Sequence, residues 1–144
     1  MKQKHAKDEP VRIFISSASE DAMLVWKIRK LLTARLHADV FTPEDLVVGM
    51  NWAEKLRQKL QSADILLAVL TPAGLASDFV QQELGAAWVL QKPILPLISQ
   101  RALLKNVLIP IQDDLVIEAA DFGDPANADK IEAVLKTIAK APAA

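Results

Sequence analysis

The stretch ILLAVLTPAGLASDFVQQELGAAWVLQKPILPLI, residues 65–98, decides the fold. It opens on an uninterrupted apolar run, residues 65–70, closed by Thr71 and Pro72, and ends on another, residues 93–98. Apolar runs without polar alternation read as strands covered on both faces, the habit of parallel sheets. Between them Val80, Leu84, Ala87 and Trp88 recur at helical spacing, which predicts a helix over residues 77–91. Strand, helix, strand is the crossover unit of a parallel sheet. Residues 61–100 carry four charged side chains, against nineteen in residues 1–60 and twelve in residues 101–144, so this middle segment is the expected core.

The same alternation extends outward. Residues 11–15, VRIFI, predict a first strand after Pro10, and residues 16–19 a turn. Ser17 and Glu20 have capping-box spacing, and Leu24, Val25, Ile28, Leu31, Leu32 and Leu36 continue as a helix over residues 20–36. Asp39–Phe41 reads as a second strand. TPEDLVVGMN (42–51) is a connection ended by Asn51, which with Glu54 signals a helix carrying the stripe Trp52, Leu56, Leu60. VLIPI (107–111) is the expected fifth strand, at an edge because Pro110 has no N–H, and residues 126–140 the last helix. The expected architecture is α/β, a flavodoxin-like three-layer sandwich around a five-stranded parallel sheet. Residues 1–10 read as a flexible arm, 11–140 as one domain and 141–144 as a tail.

Composition excludes several functions. A net charge of −1 over 144 residues argues against a nucleic-acid-binding surface. The absence of cysteine removes disulfides, thiol nucleophiles and Cys-ligated zinc, and two isolated histidines make no metal cluster, so no metal is expected. The first residues lack an apolar signal core and no run approaches the ~18 apolar residues of a membrane span. A cytoplasmic protein without membrane contact is expected.

In open parallel sheets ligands bind outside the carboxyl ends of the strands, which selects residues 16–19, 41–51, 71–78 and the segment from 99 onward. Glu83 stands out. At about 100° per residue it falls inside the apolar arc of its helix, and it is the only charge between residues 79 and 91. Such a carboxylate is costly unless it has hydrogen-bond partners or a task, and its pKa tends to rise. Either a structural bond to a neighbouring loop or a functional role accounts for it. Trp52 offers a ring to stack on a planar ligand, or simply begins the core stripe. Ser16, Ser17, Ser19, Ser77 and Asp78 suit caps as well as polar ligand contacts, and Pro43-Glu44-Asp45 suits a turn or a weak cation site. The phosphate-binding glycine motifs and the G-x-S-x-G elbow are absent, and serines stand after the first strand where a phosphoacceptor receiver needs acids.

Taken in order, FISSASED (14–21), VFTPEDLVVGMNW (40–52), SADILLAVLTP (62–72), SDFVQQELGAAW (77–88) and KPILPLI (92–98) resemble a Toll/interleukin-1 receptor (TIR) domain. The resemblance covers residues 11–98, and the 40–52 connection resembles the family's BB loop. It implies either an enzyme that cleaves NAD or a scaffold that recruits partners through TIR–TIR contacts. In the enzymatic branch the essential glutamate closes a W-x-x-x-E pattern. Phe79 and Glu83 match it here, with the ring kept and the indole N–H lost. By the same resemblance Glu83 is catalytic, and Trp52, Phe79, Ser17 and Ser77 face the substrate.

The resemblance further implies an NAD nucleosidase of prokaryotic type serving immune or antiphage defence, with NAD as substrate and no cofactor. Its product is ADP-ribose or a cyclic form. Its partners are further copies stacked head to tail, with a sensor fused or separate. Asp45, Leu46, Val48 and Gly49 belong to the assembly loop, where Leu46, Val47, Val48 and Met50 cluster apolar side chains in an otherwise polar connection. A nucleoside- or nucleotide-cleaving enzyme on a similar fold is a third reading, which the BB-like loop argues against.

Overall fold

Alternation along the first strand assigns each side of the sheet its helices. The structure, a computed structural model, describes residues 9–45 and 51–140. In β1 (Arg12–Ser16), Ile13 and Ile15 join a core with Val25, Ile28 and Leu32 of α1 (Ala22–Leu36) and Ile131 and Val134 of α5 (Ala126–Lys140). Phe14, of opposite parity, joins Leu60 of α2 (Trp52–Ser62) and Val80, Leu84 and Ala87 of α4 (Asp78–Val89). In β3 (Ile65–Leu70) the residues Ile65, Leu67 and Val69 pack toward the first set and Leu66, Ala68 and Leu70 toward the second. All six are buried, which explains a run with no polar alternation. Burial of each of the larger side chains among them, Ala68 apart, stabilises the fold by roughly 1.5–3 kcal/mol.

The five strands are parallel in the order β2-β1-β3-β4-β5, with β2 at Asp39–Phe41 and β4 at Ile94–Ile98. This is the expected flavodoxin-like order, whose switch point lies between β1 and β3. There Ser16 is in register with Ala68.

Three expectations are corrected. The fifth strand is Ile117–Glu118, paired with Leu97 and Ile98, and residues 107–111 form no strand. A parallel neighbour needs a long crossover; residues 99–106, most of them the 3-10 segment Arg101–Asn106, are too short for one, and residues 99–116 suffice. The first helix begins at Ala22, after a 3-10 turn at Ser19–Asp21 closed by a hydrogen bond from the Asp21 N–H to the Ala18 carbonyl; neither turn nor helix has a side-chain cap, so the Ser17–Glu20 box does not form. Trp88, placed by its spacing in the apolar arc, is 53% exposed while Ala87 beside it is buried, because Trp88 stands at the margin of that arc.

A short helix α3 (Pro72–Ala76) precedes α4. Thr71 caps it by accepting from the Gly74 N–H at 3.0 Å, and Pro72 opens it. Gly74 is required by close approach, since a Cβ there would run into the Val69 carbonyl oxygen. The Thr71 hydroxyl also donates to Asp21 Oδ2 at 2.5 Å, joining the end of β3 to the start of α1. At the opposite edge Lys92 Nζ donates to the carbonyls of Gln61 (2.5 Å) and Ala63 (2.8 Å), joining the end of α4 to the end of α2. No helix among the described residues is long and apolar enough to cross a membrane.

Candidate active site

The second core leaves a gap between α2 and α4. Both helices begin at the carboxyl edge of the sheet, where Asn51 caps α2 by accepting from the Glu54 N–H (3.3 Å) and Ser77 caps α4 by accepting from the Val80 N–H (3.2 Å). Trp52 and Phe79, in the first turns, thereby meet in a tilted pair with ring centroids 5.7 Å apart and planes inclined by 43°. Below them runs a groove of about 630 Å³ between Leu56 and Leu60 on one helix and Glu83, Ala86 and Val89 on the other. It is mostly apolar, with Arg57, Gln61 and Gln82 along its margin, which is the usual make-up of a small-molecule site.

Glu83 is the ionisable group of this groove that lies buried, at 4% exposure. Its Oε1 accepts a hydrogen bond from the buried hydroxyl of Ser16, a residue 67 positions away, and its Oε2 has no partner among the described residues. Burial pushes the Glu83 carboxyl up to about 8, and the Ser16 hydroxyl opposes that rise in part. A half-satisfied buried carboxyl is expensive in a fold of marginal stability, so its retention calls for an explanation in ligand binding or chemistry.

The sequence-predicted residues divide. Glu83, Trp52 and Phe79 border the groove together, and Trp52, 45% exposed, is not core. Ser77 caps α4 and Ser17 sits in the half-buried turn after β1; neither is among the residues lining the groove. Asp45 closes the turn after β2: both its carboxylate oxygens accept from Arg29 at 3.0 Å, and Oδ2 also accepts from the Thr42 N–H at 3.0 Å. Leu46, Val48 and Gly49 lie outside the described residues. Ser16, which the sequence offered as a cap or a polar ligand contact, is instead the partner of Glu83. Its signal was parity: two positions after Phe14, it had to share the face covered by α4.

A second cavity, of about 550 Å³, lies at the amino edge of the sheet between Trp88, Pro93, Pro110 and Ile138. Its acid, Asp114, is exposed, and this edge is not where open α/β sheets bind ligands. Among the described residues no group of three or more His, Asp or Glu side chains is placed to hold a metal ion.

Comparison with known proteins bears on this arrangement. A family model described as TIR domain matches residues 13–136. Among solved structures, the TIR domain of the Toll-related receptor TRR-2 from Hydra magnipapillata is similar at a TM-score of 0.63 and 15% identity, covering 89% of this chain and 98% of that one. At that identity the likeness concerns the fold. No curated protein matches.

Proposed function

Since the chain belongs to the TIR domain family, we propose that it is an NAD hydrolase that cleaves the bond between nicotinamide and ribose. The observation that carries this reading is Glu83, a buried carboxyl whose Oε2 has no hydrogen-bond partner among the described residues, bordering a groove whose mouth holds the Trp52–Phe79 ring pair. The rings offer a surface for the planar nicotinamide, and Glu83 lies one helical turn beyond Phe79, next to where the adjoining ribose is held.

The chemistry asks little of the protein. The C1′–N bond breaks with its electron pair passing to the pyridinium ring, whose positive charge is thereby neutralised. No general acid is needed to expel it. The ionised Glu83 stabilises the oxocarbenium ion that develops at C1′, as carboxylates do in glycosidases, and water then adds at C1′ and loses its proton. The groove excludes bulk water around the carboxylate, which strengthens its attraction for the cation. Capture by an internal nucleophile of the same substrate gives a cyclic product instead.

Self-assembly is part of the proposal. The connection beginning at Asp45 carries the apolar cluster Leu46, Val47, Val48 and Met50, and docking of that loop beside the groove of a second copy completes the site. Such a heterologous contact repeats head to tail. A cytoplasmic immune or antiphage role, under a sensor, accords with such an enzyme.

The test is nicotinamide release from NAD by the purified chain at high protein concentration. Release abolished by Glu83→Gln is the expected result. Self-association without any release would assign the scaffold role instead.

A further inference from the structure

Two buried oxygens meet at the switch point of the sheet. Ser16 is wholly buried as the last residue of β1, and its hydroxyl reaches Glu83 Oε1 from beneath α4. The placement follows from register. Parity puts Ser16 on the Phe14 face, and the packing of Val80, Leu84 and Ala87 on that face turns Glu83 downward toward it. The carboxylate is thus held from one side only, by a rigid strand, while Oε2 stays without a partner among the described residues.

Resting on the NAD-cleaving reading, we infer that Ser16 is a positioning residue for Glu83: its hydroxyl fixes Oε1 and thereby sets the orientation in which the carboxylate stands beside the groove. A carboxylate free to rotate about its last torsion would share its charge between orientations, and a misplacement of about 1 Å at a reacting centre costs on the order of 100-fold in rate. A strand-borne donor removes that freedom, and strands are firmer supports than loops.

No other charged group does this work. Arg57, from α2, borders the groove but is paired with Glu54 at 2.6 Å. Between residues 79 and 91 helix α4 has no second charge, the segments β3, α3 and β4 packed against it have none, and β1 carries only Arg12, at its far end, where the guanidinium donates to the Ser62 carbonyl. The Ser16 hydroxyl is therefore the local group that favours the ionised form, and its loss favours the protonated one.

The experiment compares Ser16→Ala and Ser16→Cys with the parent chain in two measurements. The first follows the Glu83 side-chain carboxyl by carbon-13 NMR across pH in the free protein. Its midpoint is expected to rise by about one to two pH units in Ser16→Ala, with Ser16→Cys, a weaker donor of similar shape, in between. The second is nicotinamide release, where kcat is expected to fall roughly 10- to 100-fold with KM little changed. An unmoved midpoint in either folded variant overturns the inference, as does a loss carried by KM alone. A shifted midpoint in a parent chain that releases no nicotinamide keeps Ser16 as the positioner of Glu83 and overturns the NAD-cleaving reading on which the choice of ligand rests.

Discussion

Trp52 and Phe79 meet across the mouth of the groove at 5.7 Å, each from the first turn of a different helix, and half of the Trp52 side chain remains open to solvent. A pair of this geometry stabilises by about 0.5–1.5 kcal/mol. A ring so exposed is worth more as a binding surface than as core. Trp52→Ala is therefore expected to lower kcat/KM about 10-fold or more while costing roughly 1 kcal/mol of stability, and Trp52→Phe to retain most of both. Steady-state nicotinamide release together with chemical denaturation decides the matter. Activity lost only in proportion to stability would return Trp52 to a structural role.

Glu83→Gln is expected to fold and to abolish NAD cleavage, because the amide keeps the shape of the side chain and cannot stabilise a cation. A folded variant with parental turnover would remove Glu83 from the mechanism.

The same residue makes stability depend on pH. Its carboxyl titrates near 4.5 when exposed and about 8 in the fold. Between those values the native chain holds a proton that the unfolded chain has lost, so stability falls as pH rises, by up to about 1.4 kcal/mol per pH unit, and levels off above about 8. Urea denaturation of the parent chain from pH 5 to 9, read against Glu83→Gln, should show the variant gaining on the parent over that window. Two parallel curves would count against a buried, protonated Glu83.

Catalysis should follow the opposite course. In the proposed mechanism it is the ionised form that stabilises the oxocarbenium ion, so kcat/KM is expected to climb with pH and reach half its plateau near about 8. A profile already flat at pH 6 would point to a different group.

Assembly has its own signature. Activity is expected to rise faster than linearly with protein concentration, and replacing Leu46 and Val48 with Asp should remove both that dependence and the activity. Sedimentation alongside the assay provides the check. Full NAD cleavage by a monomeric double variant would show a groove complete within one chain.

Much of the fold could be read from the chain because its signals are local and strong. The fully apolar run of β3 and the Asn51 and Ser77 caps each announce an element without reference to its neighbours. The fifth strand could not be read that way. Ile117–Glu118 is two residues long and is set by the span of its crossover, whereas VLIPI looks more like a strand than it does. The site shows the same division. Glu83, as a lone charge on an apolar helix face, was visible in one dimension, whereas Trp52 and Phe79 were pointed to by the resemblance to TIR domains. Ser16 stood among several serines equally suited to caps or ligand contacts, and was singled out only once the partner of β1 and the face of α4 were known, since its bond to Glu83 is made 67 residues away.

The clip at Lys92 has a mechanical consequence. It ties the lower ends of α2 and α4 through two carbonyls, while their upper ends touch through the ring contact of Trp52 and Phe79. The two helices form a pair of tongs, pinned at the base and sprung at the tips. Widening the groove then requires tilting about the pinned end, so displacement grows toward the aromatic tips and is smallest beside Leu60. A molecule between the rings acts on the two helices at the end away from the clip, and removing the Lys92 ammonium would take away the polar tie at their base.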